Sequence, residues 1–348
     1  MINKLTGESV SQEMLNVLDQ LNHGHDVNRQ IIDNLKEMKE AYSHISDDIS
    51  TDKLPNRENI QTDVLQKLQN MGSAVIKSNG AVSFSGDILC DKRLDIIIGL
   101  PAAGKSSALA EPISALCRSR IIDSDEAKKL LPEYKDGWGT GVVHKESQRI
   151  SHNQFKIAIS KGENISYPRV GGDCEELKEY ILKAKMQGYK VYLHFNDLDK
   201  NKALGRMITR FLETGRFISP DLITKYGNSI EQTYQSLKSS NIIDGYSKWN
   251  NDVPLGYRPK FIECSESCSK LCEALKLPTI AEKLERSNNI CKRLSNIINE
   301  VKAFFKSSPK LYAEFIKFRD EFRRKKDELT KKSESRAENK HKPQKPKM

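Results

Sequence analysis

Apolar residues recur at helical spacing through the first ninety positions of the chain. Three such groups predict helices around Met14–Leu21, Ile31–Met38 and Val64–Met71. The stretch 75-VIKSNGAVSF-84 then alternates on either side of Asn79-Gly80, which predicts a β-hairpin. We therefore expect residues 1–88 to form a mainly helical N-terminal extension.

From about residue 92, short apolar runs alternate with helical patterns. Strands are predicted at 94–98, 120–123, 164–167, 190–195 and 260–263. Helices are predicted between them, around 105–117, 145–160, 174–187 and 199–214. Short apolar strands separated by helices are typical of a parallel sheet covered on both faces. Residues 89–265 are therefore predicted to form one α/β domain, a sheet sandwiched by helices.

After Cys264 the pattern is helical again. An apolar stripe from Leu284 to Val301 predicts a helical C-terminal region over residues 266–330. The last stretch, residues 331–348, is basic and carries no apolar face, so we expect it to be disordered.

Composition places the chain among soluble proteins. Charged residues make up 30% and the mean hydropathy is -0.62, and no apolar run is long enough to span a membrane. The seven cysteines are odd in number and scattered, which favours reduced thiols in a cytoplasm. The first residues lack the apolar core of a cleaved secretory signal. We therefore expect the protein to act in the cytoplasm. The alternative is that it is delivered into another cell as an effector, without a cleaved signal.

The net charge of +10 is unevenly distributed. Residues 1–90 carry eight Lys or Arg against thirteen Asp or Glu, whereas residues 321–348 carry eleven against five. The remaining residues, 91–320, carry a net charge of about +9, which suits a polyanionic small molecule as well as nucleic acid. Few aromatic residues are available near the basic segments for base stacking, so a nucleic-acid partner is not favoured.

One motif indicates phosphate binding. The segment from Gly99 to Ser106, GLPAAGKS, matches GxxxxGK[ST] between a predicted strand and a predicted helix. Its backbone N–H groups and the helix N-terminus would hold phosphates, while Lys105 would reach the β- and γ-phosphates. Ser106 would coordinate Mg²⁺. The predicted nucleotide-binding residues are Gly99, Ala102, Ala103, Gly104, Lys105, Ser106 and Ser107.

Two carboxylates follow the next predicted strand. Asp123 and Asp125 would lie on one face at its carboxyl end, the edge at which α/β sheets bind ligands. One can accept the proton of an acceptor hydroxyl, and the other can hold the metal's water shell. The competing interpretation is that both residues only cap the following helix.

Three arginines follow in the segment 203-ALGRMITRFLETGRFISP-220. Arg206 and Arg210 stand one helical turn apart, and Arg216 follows the predicted helix end. Together they could clamp a phosphate that is being transferred, or they could form a solvated basic face.

These segments together resemble the zeta toxin family of P-loop kinases. The resemblance is carried by IIIGLPAAGKSS, IIDSDEAKKLLPEY and GYKVYLHFNDLDKNKALGRMITRFLETGRF, and it covers residues 92–264. It implies a P-loop kinase-like fold and ATP- or GTP-dependent, Mg²⁺-requiring phosphorylation of a nucleotide-sugar hydroxyl, with UDP-N-acetylglucosamine as the default acceptor. By position, it implies that Asp125 is the general base and that Lys105, Arg210 and Arg216 contact the transferring phosphate.

The chain departs from the family on the acceptor side. An acidic-Gly-Thr segment is expected after the third strand, where this chain has 166-SYPRVGGD-173. Arg169 is the candidate for a substrate-side arginine, Glu146 for an expected glutamate, and Arg206 for a further substrate contact. The resemblance also implies an inhibitory helical antitoxin, a role that the N-terminal helices could take in cis if they are not a scaffold. A nucleotide or polynucleotide kinase and a non-catalytic P-loop switch remain the alternative functions.

Overall fold

The computed structural model describes residues 1–4, 6–43, 51, 54–137, 139–254 and 256–279, and a few residues between 282 and 324. Contacts divide the chain into a unit of Met1–Glu282 and a second unit of Lys283–Met348. The described residues of the second unit are helical. The apolar residues predicted to form a stripe from Leu284 to Val301, and the tail 331–348, lie outside the described residues.

The N-terminal segment folds into helices and a hairpin, as predicted. The helices are α1 (Gln12–Asn22), α2 (Arg29–Asn34), α3 (Lys36–Ser43) and α4 (Arg57–Asn70). One predicted helix divides into α2 and α3 because Leu35 between them has an extended backbone, with ψ 140°. Strands β1 (Ser73–Ile76) and β2 (Val82–Gly86) pair antiparallel around the Asn79-Gly80 turn.

The α/β segment carries six strands and eight helices among its described residues. The strands are β3 (Arg93–Ile98), β4 (Arg120–Ile121), β5 (Ile165–Pro168), β6 (Lys190–Asp197), β7 (Gly245–Asn250) and β8 (Lys260–Cys264). The helices are α5 (Glu111–Cys117), α6 (Ser124–Leu130), α7 (His144–Lys161), α8 (Cys174–Met186), α9 (Lys200–Thr214), α10 (Asp221–Tyr226), α11 (Ser229–Lys238) and α12 (Ser269–Leu275).

The sheet has the order β4-β5-β3-β6-β7-β8, with every neighbouring pair parallel except β7 and β8. Alternate residues of β3 face opposite layers: Leu94, Ile96 and Ile98 join the larger apolar core, and Ile97 joins the smaller one under α5 and α12. Each buried aliphatic side chain of this kind stabilises the fold by about 1.5–3 kcal/mol. The predicted α/β class, with a mostly parallel sheet covered by helices, is confirmed.

Two details of the prediction are wrong. Strand β4 ends at Ile121, so Asp123 and Asp125 do not lie on a strand; Asp123 caps α6 and Asp125 lies in its first turn. Strand β7 was not predicted, because its sequence, GYSKWN, carries only one strongly apolar residue on its buried face, Trp249.

The N-terminal helices share the larger core. Met14, Leu18 and Leu21 of α1 are buried with Ile208, Phe211 and Leu212 of α9. Gly205 permits the close approach, since a Cβ there would lie 2.8 Å from Asn22 Oδ1. The N-terminal segment is thus part of the structure that holds α9 in place. Among the described helices, none is long and apolar enough to cross a membrane.

Candidate active site

The loop between β3 and α5 has the geometry of an anion-binding nest. Ala102 and Gly104 have φ values of 59° and 79°, in the left-handed region, on either side of the buried Ala103. Successive residues of this kind turn backbone N–H groups towards a common concavity. The loop leads into a π-helical turn, Ser106–Ala110, that continues as α5.

Lys105 folds back over this loop. Its Nζ donates to the carbonyl oxygens of Gly99 and Leu100, both at 2.8 Å. Burial lowers the pKa of Lys105 to about 8, although the nearby carboxylates of Asp123 and Asp125 oppose that shift. The ammonium group therefore stands at the loop, where a phosphate oxygen could replace the two carbonyl groups.

Asp123 joins the loop to α6. Its Oδ1 accepts the backbone N–H of Asp125, and its Oδ2 lies 3.3 Å from Ser106 Oγ, which donates to it. Burial and the negative charge of Asp125 raise the pKa of Asp123. Asp123 can therefore cap α6 through one carboxylate oxygen and contact Ser106 through the other.

A hydroxyl and a carboxylate thus meet beside the phosphate loop, and both are oxygen ligands of the kind that Mg²⁺ prefers. Within the described residues, no group of three or more His, Cys, Asp or Glu side chains could hold a metal ion. One hydroxyl and one carboxylate together fit an ion that takes its other ligands from phosphates and water. Ser106 and Asp123 are the residues that would hold it.

Asp125 is paired with cations. Arg216, which follows the end of α9, donates to its Oδ2, and Lys128 Nζ lies 3.0 Å from its Oδ1. Burial acts to raise the pKa of Asp125, but the charges of Lys128 and Arg216 prevail and hold that pKa below its ordinary value. Arg216 and Asp125, the predicted base, are therefore in direct contact.

Arg216 itself is only 5% exposed. Among the described residues no acceptor lies within hydrogen-bonding distance of its Nε. A buried guanidinium N–H without an acceptor is costly, so this atom fits an anionic ligand beside Asp125. Partial burial and the positive charge of Arg216 lower the pKa of Arg210, which places the two arginines close together.

Arg206 makes different contacts from Arg210 and Arg216. Its Nη2 donates to the carbonyl oxygens of Asn251 and Val253, at 3.0 and 3.2 Å, so it attaches α9 to the chain after β7. The structure therefore separates Arg206 from the Asp125 cluster that Arg210 and Arg216 join.

Arg169 follows β5, directly beside the phosphate loop. Its backbone N–H donates to Ile97 O, and the next residue, Val170, accepts from the N–H of Gly99. Its guanidinium pairs with Glu176 and lies 5.4 Å from the ring centre of Tyr167. The predicted acceptor-side segment 166–173 thus borders the loop.

His144, at the start of α7, lies near several positively charged side chains. Burial and the positive charge of Lys128 lower its pKa to about 4, and Arg169 and Arg216 act in the same direction. Lys128, Arg210 and Arg216 all interact with Asp125, and an acceptor that carries negative charge would be attracted there.

Glu146, in the first turn of α7, is fully buried. Its two oxygens accept hydrogen bonds from Arg57 of α4, the shortest at 2.8 Å, and from Gln61 at 3.0 Å. Burial acts to raise its pKa, but the hydrogen bonds from Arg57 prevail and lower it. Both carboxylate oxygens of Glu146 are engaged by side chains of α4. The role of Glu146 as a substrate contact stays a prediction.

Sequence reasoning missed two groups at this site. Arg57 bridges Glu146 and Glu133, yet a single arginine before a helical pattern carries no signal of its partners. Asn196, the residue that follows the last apolar position of β6, donates to Ala103 O at 2.7 Å. A polar residue at the carboxyl end of a central parallel strand is the signal that could have identified it.

The comparisons with known proteins agree with this geometry. Residues 91–251 match the model of the family described as Zeta toxin. No curated protein sequence matches the chain at a significant level.

Comparison with solved structures finds matches of low sequence identity. The crystal structure of AvrRxo1-ORF1:-ORF2 with ATP is 17% identical, with a TM-score of 0.46 over 64% of this chain and 73% of that chain. A structure from the PezAT chromosomal toxin–antitoxin system of Streptococcus pneumoniae is 14% identical, with a TM-score of 0.44 over 71% and 98%. The family match agrees with the resemblance expected from the sequence: residues 91–251 match the zeta toxin family, whose members are kinase-like phosphotransferases.

Proposed function

We propose that this protein is a nucleotide-dependent, Mg²⁺-requiring kinase that transfers a γ-phosphoryl group to a hydroxyl of a small molecule. The observation that carries the proposal is the contact between Arg216 and Asp125 beside the phosphate loop. A carboxylate and a guanidinium at one point are what transfer to a hydroxyl requires, whereas nucleotide binding alone needs neither.

In this proposal the loop and Lys105 hold the phosphates of ATP or GTP. Mg²⁺, held through Ser106 and Asp123, supplies charge neutralisation. The acceptor oxygen forms a bond to the γ-phosphorus as the bond from that phosphorus to the β,γ-bridging oxygen breaks. The hydroxyl proton passes to Asp125, and the nucleoside diphosphate leaves with the bridging oxygen.

Arg210 and Arg216 neutralise the charge that spreads over the phosphoryl oxygens during transfer. Arg216 is already desolvated, which makes its charge more effective than that of a surface arginine. Its contact with Asp125 also keeps the base and the transferring group within one small volume.

The family supports UDP-N-acetylglucosamine as the first acceptor to test. The cations around Asp125 support an acceptor that carries phosphate near its reacting hydroxyl. Arg169, at the exit of β5, is the residue that we assign to the acceptor's own negative charge. The same family match supports toxin or effector action, which we propose takes place in the cytoplasm of the producing cell or of a target cell.

The family also supports inhibition by a helical partner. The described contacts of α1 with α9, and of Arg57 with Glu146, support a scaffold role for this chain's own N-terminal helices. We therefore propose that inhibition comes from a separate protein. Gel filtration with a co-expressed helical partner should show a stable complex without kinase activity.

The experiment that tests the function is mass spectrometry of small molecules after incubation with ATP and Mg²⁺. One reaction contains UDP-N-acetylglucosamine and another a cell extract, with the Asp125→Asn variant as the matched control. A product heavier by one phosphoryl group, made only by the wild type, is expected. Nucleotide binding without any phosphorylated product in either reaction would contradict the kinase and favour a P-loop switch.

A further inference from the structure

One carbonyl group of the phosphate loop is held by two amide side chains. Ala103 O accepts hydrogen bonds from Asn196 Nδ2 at 2.7 Å and from Asn251 Nδ2 at 2.6 Å. The two asparagines come from the carboxyl ends of the adjacent strands β6 and β7, and both are buried. A carbonyl oxygen turned towards a bound phosphate would repel it, so these two donors keep the loop open to an anion.

Asn251 also packs against the residue that follows this carbonyl. A Cβ at Gly104 would lie 2.6 Å from Asn251 Nδ2, so the amide occupies the space beside the left-handed Gly104. The position of Asn251 therefore sets the shape of the loop at two consecutive residues.

Asn251 is in turn held by helix α9. Its carbonyl oxygen accepts from Arg206 Nη2 at 3.0 Å, and its backbone N–H donates to Asp197 O at 2.8 Å. Arg206 also reaches Val253 O, so one guanidinium spans the turn that carries Asn251. A second and more exposed attachment joins Lys202 of α9 to Asp252 at 2.7 Å.

We propose that Arg206 and Asn251 are positioning residues that couple helix α9 to the phosphate loop. Arg206 fixes the backbone of Asn251, and the Asn251 amide fixes Ala103 and Gly104, so nucleotide affinity depends on a contact made outside the phosphate site. The inference rests on the proposed function, because it assumes a nucleotide in this loop. Arg206 then acts through the loop and not through contact with the acceptor.

The test measures binding of ATPγS with Mg²⁺ to the full chain by calorimetry, and it needs no acceptor. Arg206→Gln and Asn251→Ala should each weaken binding about tenfold, as expected for a coupling of this kind. The double variant should bind ATPγS with the same affinity as the single variant that binds it less well. Both residues act through the same carbonyl contact, so their effects should not add. Arg206→Lys keeps one donor and should recover part of the loss.

Two further variants make the test selective. Lys202→Ala removes the exposed attachment between the same helix and the same turn, and should leave binding unchanged. Asn251→Asp keeps the size of the side chain but replaces the donor with an acceptor, so it should weaken binding even if Asn251→Ala folds poorly. Thermal unfolding of each variant separates a change in affinity from a loss of fold.

If the wild type binds ATPγS and both Arg206→Gln and Asn251→Asp bind it equally well, the coupling inference is overturned. The proposed function would stand in that case. An Arg206→Gln variant that binds ATPγS normally but has a raised KM for UDP-N-acetylglucosamine would assign Arg206 to the acceptor and overturn the coupling inference as well. A wild type that does not bind ATPγS would overturn the proposed function together with this inference.

Discussion

Arg57 Nη2 lies 2.8 Å from Glu146 Oε2, although the two residues stand 89 positions apart in the chain. The same guanidinium donates to both oxygens of Glu133, 76 positions away. Arg57 precedes the segment that matches the family, yet it fixes two carboxylates that belong to that segment. The N-terminal segment is therefore attached to the α/β domain at the two carboxylates Glu133 and Glu146.

Removal of Arg57 should destabilise the protein strongly. Arg57→Ala would leave Glu146 buried without its cation, and the loss of one partner from a buried pair costs about 3–5 kcal/mol. The measurement is the free energy of unfolding in urea. Arg118→Ala, which breaks an exposed pair with Asp87, is the matched control and should cost less than about 1 kcal/mol. Equal losses in the two variants would show that the buried cluster contributes no more than a surface pair.

Asp125→Asn should abolish turnover while it leaves nucleotide affinity near that of the wild type. A general base contributes about 10²–10⁴-fold to a proton transfer, and an amide cannot accept the proton. Turnover is measured as acceptor-dependent ADP release, and affinity by calorimetry. Glu126→Gln, one residue away and paired with Lys129, is the control that should retain activity. Wild-type turnover in Asp125→Asn would remove Asp125 from the role of base.

Arg216→Ala should lower kcat by about 10³-fold or more, the effect of an arginine that neutralises a transferring phosphoryl group. Arg216→Lys should restore only a small part, since a lysine cannot donate two parallel hydrogen bonds. The readout is kcat under saturating nucleotide. If the lysine variant matches the wild type, a point charge is sufficient and the clamp interpretation fails.

Stability at low pH should depend on Asp95, a fully buried residue of β3. Burial acts to raise its pKa, but the hydrogen bond from His194 and the charge of Arg93 prevail and lower it. A lowered pKa contributes stability that is complete above the ordinary value of about 3.9 and is lost as the pH falls through the folded value.

The measurement is the free energy of unfolding of the wild type and of Asp95→Asn between pH 6 and pH 3. The wild type should lose its advantage over the variant towards the acid end of this range. Asp87→Asn, at an exposed position, should follow the wild type throughout. Parallel curves for the wild type and Asp95→Asn would contradict a lowered pKa at Asp95.

Much of the fold could be predicted from the chain, because its signals are local. The aliphatic run of β3 and the small residues of 99-GLPAAGKS-106 predict a strand, a phosphate loop and a helix within one short segment. Strand β7 was missed because a strand that carries Gly245, Ser247 and Lys248 does not show an apolar run; its place in the sheet depends on pairing with β6 and β8 and on the packing of Trp249 in the smaller core.

Residue types and spacing were thus enough to predict a donor side, because a P-loop binds phosphate mainly through its own backbone and two adjacent side chains. The contacts that arrange the rest of the site around this loop were not accessible in this way. Arg57 with Glu146, Arg216 with Asp125, and Asn251 with Ala103 are contacts between residues far apart in the chain. Such pairs leave no periodicity or motif, since each depends on where the sheet and α9 place the two partners in space.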